Sequence, residues 1–362
     1  MHGTTAPGFE RVREAFARVL ERQGGAGASF AAWHDGHWVT DVWGGYADGA
    51  GTRPWAEDTL VMPYSVTKPF AAVCALMLVD RGVLDLDAPV QRYWPEMEAR
   101  TTPRQMLAHR SGHVVLDEPM PAEAWQDWDR ICSALTRQVP AWEPGTGHGE
   151  SALFYGHLIG ELVRRVDGRS LGRFLRDEVT GPLGLDFHVG LGPSEQVRTA
   201  DLTGFGEAFR RSLSEGRPPL LGPALANPAG ATDPAVVNSP GWRASEVPAV
   251  NGHGTARAVA GFYVALAQER LLGQQVFDEM TRGHGMEVDR IVGGEPRAWG
   301  LGVAVEDDGW GMGGIGGSIG WWCTDGGYAV AYLTSHVADH GPATEVEDAL
   351  REVLGLQGLD ED

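Results

Sequence analysis

The sequence predicts an α/β fold of the α+β kind, with one antiparallel sheet built from both ends of the chain and flanked by helices. Strand-like segments with turn signals lie near the N-terminus, and helical segments separated by Gly/Pro-rich loops fill residues 85–274. Strand-like segments return from about residue 298. We therefore expect a sheet lobe of residues 1–62 and 291–362, an inserted, mostly helical lobe of residues 63–290, and a ligand cleft between them.

The N-terminal segment predicts a helix followed by a hairpin. Phe16, Val19 and Leu20 recur among Arg and Glu residues, which indicates an amphipathic surface helix. Two alternating runs then flank the pair Asp35-Gly36, and this pair is typical of a two-residue hairpin turn.

An apolar strand is expected over residues 59–62, directly before a helix over residues 65–79. That helix is apolar almost all round, so it should be buried in the centre of the protein. Pro69 is acceptable only near the start of a helix, where its missing N–H has no helical acceptor. Ser65 is therefore expected at the N-terminus of this helix.

The last third of the chain predicts a capped helix, several strands and a final helix. Thr255 has the character of an N-cap for a helix that begins at Ala256. The segments "AWGLGVAVED", "GWGMGGIGGSIGWWCTD" and "GGYAVAYLTS" read as strands, and "ATEVEDALREVLGL" reads as the closing helix.

Composition limits the possible functions. A net charge of −20 argues against nucleic acid or an acidic membrane as partner, because both require a basic surface. No run of about 18 apolar residues is present, and the N-terminus lacks the pattern of a signal peptide. Cys74, Cys132 and Cys323 are expected to be buried free thiols. We expect a cytoplasmic protein, with its oligomeric state open.

Lys68 is the only lysine in the chain, in which every other basic residue is an arginine. It lies three residues after Ser65, and a chance placement after one of the 13 serines has a probability of about 4%. The spacing puts both side chains on one helical face. An arginine cannot give up its proton in a protein, whereas a buried lysine can, and a serine hydroxyl needs a proton acceptor to become a nucleophile. Ser65 and Lys68 are therefore the predicted catalytic pair.

The order of further motifs resembles a known superfamily. "YSVTK", "TPRQMLAHRSGH", "WEPGTGHG" and the late "GMGGIGGSIGWW" are similar to the serine β-lactamases and penicillin-binding proteins. Within this superfamily the motifs most resemble those of the class C β-lactamases and of the family VIII carboxylesterases and transacylases. The resemblance covers almost the whole chain and implies a β-lactamase/DD-peptidase-like fold with an acyl-enzyme formed on Ser65.

The resemblance also assigns expected roles to other positions. The superfamily lysine maps onto Lys68, and the triplet of the sheet edge maps onto Met312, Gly313 and Gly314. The backbone N–H of Ile315 would then complete the oxyanion hole together with the N–H of Ser65.

Two positions depart from the superfamily pattern. The second motif carries a tyrosine in the superfamily, and the count from Gly156 places Glu150 there. Lys68 alone could then activate Ser65, or the Glu150 carboxylate could act as general base, directly or through a water. Alternatively the count is displaced by a loop and Tyr155 occupies this position.

The second departure concerns the ligand. Met312 replaces a cation, which disfavours a β-lactam carboxylate and favours an uncharged ester or thioester. Any β-lactamase activity should therefore be weak. Alternation along the strand sends one of Trp321 and Trp322 into the cleft. The residues expected to contact the substrate are Tyr155, Asn251, His253, Met312, Gly313, Gly314 and Trp322.

Three functions remain open from the sequence. The first, which is the default, is a hydrolase of the carboxylesterase type that acts on an ester, thioester or amide. The second is a transacylase of natural-product biosynthesis that passes the acyl group to an amine or alcohol. The third is a binding protein that kept the fold and lost turnover. No metal or cofactor is expected, and the expected partners are a small-molecule acyl donor and, for a transacylase, a second small molecule.

Overall fold

A computed structural model describes residues 1–359 and shows mixed α and β structure. The strands are β1 (His2–Thr5), β2 (Ala28–His34), β3 (His37–Gly44), β4 (Phe187–Val189), β5 (Gly252–Gly254), β6 (Met286–Glu287), β7 (Arg297–Trp299), β8 (Ala304–Glu306), β9 (Gly309–Gly313), β10 (Ile319–Cys323) and β11 (Tyr328–Thr334). The longer helices are α1 (Glu10–Arg22), α2 (Lys68–Asp80), α3 (Trp128–Arg137), α4 (Tyr155–Asp167), α5 (Ala256–Ala267), α6 (Gln274–Thr281) and α7 (Gly341–Val353).

Short helical segments complete the part of the chain between residues 64 and 244. The α-helical ones are Pro103–Leu107, Leu171–Leu175, Gly181–Leu183, Pro193–Val197, Glu207–Ser212, Leu221–Ala226, Pro234–Val237 and Pro240–Ala244. Three 3-10 turns span Tyr64–Thr67, Val90–Arg92 and Ala122–Gln126, and a π-helical turn spans Arg176–Thr180.

One antiparallel sheet joins the two ends of the chain, as the sequence predicts. Its strand order is β1-β3-β2-β11-β10-β9-β8-β7-β6, so the N-terminal hairpin pairs directly with the last strand. Ala31 lies opposite Ala331 at the centre of this junction. The small pair β4 and β5 forms a separate two-stranded sheet. The predicted α+β class is confirmed.

Helices cover the sheet where its side chains are apolar. The first and last helices, α1 and α7, pack on each other and share a core with β2, β3, β10 and β11. Helix α5 packs against β2, β10 and β11, and α2 packs against α4 within the larger core. Burial of these apolar faces is the main force that holds sheet and helices together.

Most predicted elements are confirmed. The Asp35-Gly36 turn joins β2 and β3 with positive φ at both residues (47° and 83°), as a tight hairpin turn of this kind requires. The Thr255 hydroxyl accepts a hydrogen bond from the N–H of Ala258 and caps α5. All three cysteines are free and buried. No helix among residues 1–359 is both long and apolar enough to cross a membrane.

Other predictions need correction. Residues 59–62 form no strand, because Leu60 and Val61 each make only an isolated bridge, to Thr199 and Gly254. Strands β1 and β6, which form the two edges of the sheet, carry too few apolar residues to be predicted from the sequence. The division of the chain at residues 63 and 290 stays a prediction, and residues 360–362 lie outside the described residues.

Candidate active site

Ser65 lies in a 3-10 turn, Tyr64–Thr67, that runs directly into α2. Pro69 is in the first turn of α2, so the placement inferred for Ser65 is right except that a 3-10 turn precedes the α-helix. Tyr64 has φ +48°, an uncommon conformation for a bulky residue, and its hydroxyl donates to the carbonyl of Ala231 at 3.1 Å. This anchored, strained residue fixes the backbone immediately before the candidate nucleophile.

Lys68 is fully buried and directed at Ser65. Its Nζ lies 2.7 Å from Ser65 Oγ and donates to the carbonyls of Ala152 (3.0 Å) and Ala249 (3.3 Å). Burial lowers the pKa of Lys68, while the charge and hydrogen bond of Glu150 and the charge of Asp289 oppose this shift.

Glu150 completes a three-residue cluster with Ser65 and Lys68. Its Oε1 accepts a hydrogen bond from the Ser65 hydroxyl at 3.1 Å and lies 2.8 Å from Lys68 Nζ. The Glu150 carboxylate thus occupies the position that the motif count assigned to it. The alternative, in which Tyr155 takes this position, is wrong: Tyr155 is fully buried and its hydroxyl donates to the carbonyl of Leu107.

The segment after β9 lies against Ser65. A Cβ on Gly314 would lie 2.1 Å from the carbonyl oxygen of Pro63 and 3.3 Å from Ser65 N, so only glycine permits this approach. Within the described residues neither the Ser65 N–H nor the Ile315 N–H donates a backbone hydrogen bond. Two free donors in adjacent segments are what an oxyanion hole requires.

Met312 contributes to an apolar wall near this segment. It is 3% exposed and packs with Trp299, Ala304 and Trp321. Strand β8 pairs with residues 309–311, so in the part of the chain that the structure describes the Met312–Gly313 end of β9 has no strand neighbour on that side. At this open end His340 approaches Gly313, where a Cβ would lie 3.0 Å from His340 Nε2.

Trp322 is not beside the candidate site. Strand β10 runs away from it, with Ile319 opposite Gly313 and Trp322 opposite Trp310. Trp322 instead lines a separate groove that includes Trp310 and Phe277. Of the two tryptophans, Trp321 is the one that contacts the Met312 wall.

Asn251 and His253 are buried inside the protein. Asn251 is fully buried. Its Oδ1 accepts a hydrogen bond from the N–H of Val247, and its Nδ2 donates to the carbonyls of Trp242 and Ser245. His253 is 1% exposed on β5, and burial lowers its pKa to about 3. Asn251, His253 and Tyr155 are thus buried rather than placed at a pocket rim, and their contact with substrate stays a prediction.

Asp289 belongs to the site and was missed in the sequence. It is fully buried, and its Oδ2 accepts a hydrogen bond from the N–H of Glu150 at 2.9 Å. Burial and the nearby Glu150 charge raise the pKa of Asp289, while three backbone N–H groups oppose the shift. A lone Asp in "MEVDRIVGG" gives no sequence signal, because its partner is 139 residues away.

The fold and the Ser-x-x-Lys cluster define a class of serine acyl enzymes. The chain belongs to the Beta-lactamase family, whose family model matches residues 12–355. The resemblance inferred from its motifs is therefore confirmed.

Three known proteins illustrate the range of this family. The esterase/beta-lactamase LipL of Mycobacterium tuberculosis (strain ATCC 25618 / H37Rv) is 30% identical, over 92% of this chain and 82% of LipL. A crystal structure of a family VIII carboxylesterase is 33% identical with a TM-score of 0.87, covering 97% of this chain and 99% of that one. The monacolin J acid methylbutanoyltransferase of Aspergillus terreus is 26% identical, over 45% of each chain.

Proposed function

We propose that this protein is a serine hydrolase that cleaves an uncharged ester or thioester through an acyl-Ser65 intermediate. The observation that carries the proposal is the buried contact of Ser65 Oγ with both Lys68 Nζ (2.7 Å) and Glu150 Oε1 (3.1 Å). A hydroxyl held between a cation and a proton acceptor is an activated nucleophile.

The contacts of Lys68 assign the proton acceptor. An ammonium has three protons, and two of them go to the carbonyls of Ala152 and Ala249. The third is directed at the pair Ser65 Oγ and Glu150 Oε1, and a neutral amine lone pair facing a carboxylate oxygen at 2.8 Å would be repulsive. Lys68 therefore stays protonated in the resting pair. Glu150 already accepts a hydrogen bond from the Ser65 hydroxyl, so Glu150 takes the proton of that hydroxyl.

The acylation step follows from this assignment. Ser65 Oγ attacks the carbonyl carbon as its proton passes to Glu150, and the Lys68 ammonium stabilises the charge that develops on Oγ. The N–H groups of Ser65 and Ile315 hold the oxyanion. When the tetrahedral intermediate collapses, the bond to the leaving group breaks and that group takes the proton from the Lys68–Glu150 pair. Because burial lowers the pKa of Lys68, its ammonium gives up a proton more readily than an exposed lysine.

In deacylation water is the nucleophile and Ser65 Oγ is the leaving group. Glu150 takes a proton from water, the hydroxide attacks the acyl carbon, and Ser65 Oγ leaves with a proton from the pair. The uncharged character of the substrate is supported by the wall around Met312, which offers Trp299 and Trp321 rather than a cation. The family VIII carboxylesterase and LipL support a hydrolase, and a cytoplasmic location remains part of this proposal.

A transacylase is the second candidate. The tyrosine of the superfamily is replaced by Glu150, which can deprotonate an amine or alcohol acceptor as well as water. The relationship to a methylbutanoyltransferase favours the same possibility. The two candidates differ only in which nucleophile reaches the acyl carbon.

The test is intact-mass analysis after reaction with p-nitrophenyl acetate and with short thioesters, with and without candidate amines. We expect an acyl adduct in the wild type and none in Ser65→Ala. Free acid as product supports the hydrolase, and an amide supports the transacylase. Absence of any adduct in the wild type would contradict both and favour a binding protein.

A further inference from the structure

The loop that carries Glu150, residues 148–152, is held by hydrogen bonds to several other segments. The His148 carbonyl accepts from the N–H of Arg290 (3.1 Å), and the Gly149 N–H donates to the carbonyl of His109 (3.1 Å). The N–H of Ser151 donates to His109 Nδ1 (3.2 Å), and the Ser151 hydroxyl donates to the carbonyl of His113 (2.6 Å). Within residues 1–359, Asp289 provides the one side chain that forms a hydrogen bond with the Glu150 backbone.

Both oxygens of the Asp289 side chain accept hydrogen bonds from backbone N–H groups, a pattern that a carboxylate satisfies in full and an amide does not. Its Oδ1 accepts from the N–H groups of Ile291 (2.7 Å) and Val292 (3.0 Å), and its Oδ2 accepts from the N–H of Glu150 (2.9 Å). Both oxygens therefore face donors. An asparagine would turn its NH₂ group toward at least one backbone N–H, so it cannot replace the aspartate without losing bonds.

We propose that Asp289 is the positioning residue of this active site, which fixes the backbone of Glu150 and uses its buried negative charge to keep the proton on Lys68. The proposal deepens the proposed function, because it explains how Glu150 and Lys68 are held in their resting protonation states. Asp289 contacts no reacting atom, so it acts through Glu150 and Lys68.

The charge of Asp289 acts in a nearly dry environment. Asp289 is fully buried and Lys68 is fully buried, so little water screens their interaction. The ionisable groups around them are Glu150, His148 and His109. His148 Nδ1 lies 3.5 Å from Asp289 Oδ2, and burial lowers the pKa of both histidines, so that they are neutral at pH 7. The Asp289 charge raises the pKa of Lys68 and thereby opposes the effect of burial.

The single lysine makes this proposal directly measurable. Full-length protein is labelled with ¹³C- and ¹⁵N-lysine and carries no tag that contains lysine. It then gives one lysine side-chain NMR signal, which reports the protonation of Lys68. We expect its titration midpoint in Asp289→Asn to move to lower pH by about one unit, because a neighbouring negative charge is lost. An unchanged midpoint in folded Asp289→Asn would overturn the electrostatic part of the proposal.

Activity gives the second readout. If the wild type turns over p-nitrophenyl acetate, we expect kcat/KM of Asp289→Asn to fall by about 10²-fold with little change in KM, because a displaced Glu150 misaligns the proton acceptor. The acid limb of its pH profile should also move to lower pH. A profile that superimposes on that of the wild type would contradict a positioning role and leave Asp289 with a structural one.

Asp289→Glu supplies the control if the Asn variant does not fold. It keeps the charge but shifts the carboxylate by one methylene, so we expect the Lys68 midpoint to stay near the wild-type value while kcat falls. Wild-type kcat in this variant would overturn the positioning claim. The NMR titration needs no turnover, so a protein that forms no acyl adduct would refute the proposed function and still decide the role of Asp289.

Discussion

Two buried clusters of charged residues in this protein have similar compositions, but only the first contacts a potential nucleophile. In the first, Lys68 lies with the carboxylates of Glu150 and Asp289. In the second, Arg351 of α7 lies with Asp308 and Glu347. Each group therefore contains one cation and two carboxylates, and each cation is less than 10% exposed.

The difference lies in what each cation contacts. Lys68 reaches a serine hydroxyl beside the free N–H groups of the candidate oxyanion hole, and it can release a proton. Arg351 donates to Asp308 (2.6 Å) and to the hydroxyl of Tyr328 (3.1 Å), and a guanidinium keeps its proton. Buried charge by itself thus does not identify a catalytic site. What distinguishes the first group is a cation in contact with a potential nucleophile, the Ser65 hydroxyl.

The largest expected effect tests the proton acceptor. Glu150→Gln keeps the shape of the side chain but cannot take the Ser65 proton, so we expect the acylation rate to fall by about 10³-fold. Stopped-flow measurement of p-nitrophenol release provides the rate. The matched control is Glu347→Gln, the same exchange in the second group, which should leave the rate unchanged.

A small effect of Glu150→Gln would reverse the assignment. A loss below about tenfold would mean that general-base catalysis by Glu150, usually worth 10²-fold or more, is absent. Lys68 would then be the base, as one of the two alternatives left open by the sequence.

The next effect tests why the first group contains a lysine. Lys68→Arg keeps the charge, but the larger, planar guanidinium cannot satisfy the same four oxygens in a fully buried position. We expect a loss of about 10²-fold in kcat/KM, together with a lower Tm. The opposite exchange in the second group, Arg351→Lys, should lower Tm and leave kcat/KM at the wild-type value. Equal losses of activity in both variants would show that the two groups do not differ in function.

The comparison also shows what the sequence could predict. Ser65, Lys68 and Glu150 could be found because the spacing along one helix turn and a motif count carry the information. The sheet order could be inferred because alternating runs occur at both ends of the chain. Asp289 could not, since its value depends on three N–H groups that only the folded chain brings together.

The errors have a related physical cause. Asn251 and His253 are polar residues in a Gly-rich segment, which reads as a pocket rim, but long-range packing buries both. For Trp322 the alternation gave two choices, and the register of β10 against β9 decided between them. Register is a tertiary property in a sheet that joins segments distant in the sequence.

The smallest expected effect is a pH dependence of stability in the second group. Burial raises the pKa of Glu347 to about 7, from an ordinary value of 4.5, although the hydrogen bond from Tyr328 and the charge of Arg351 oppose the shift. The folded state therefore binds more protons at this residue than the unfolded state between pH 4.5 and 7. Its contribution to the free energy of unfolding is fully present below about pH 4.5 and is lost as pH rises toward 7.

Glu347→Gln removes this titration while its amide oxygen can still accept the hydrogen bond from Tyr328. We therefore expect the variant to gain stability relative to the wild type by about 2 kcal/mol between pH 5 and pH 8, measured by urea unfolding at both values. The difference between the two proteins is the informative quantity, because the buried histidines titrate equally in both. A difference in stability that is the same at both pH values would mean that Glu347 ionises as an exposed carboxylate does. In that case the second group would be a solvated ion pair. Of the two groups compared, the one around Lys68 alone would then be strongly desolvated.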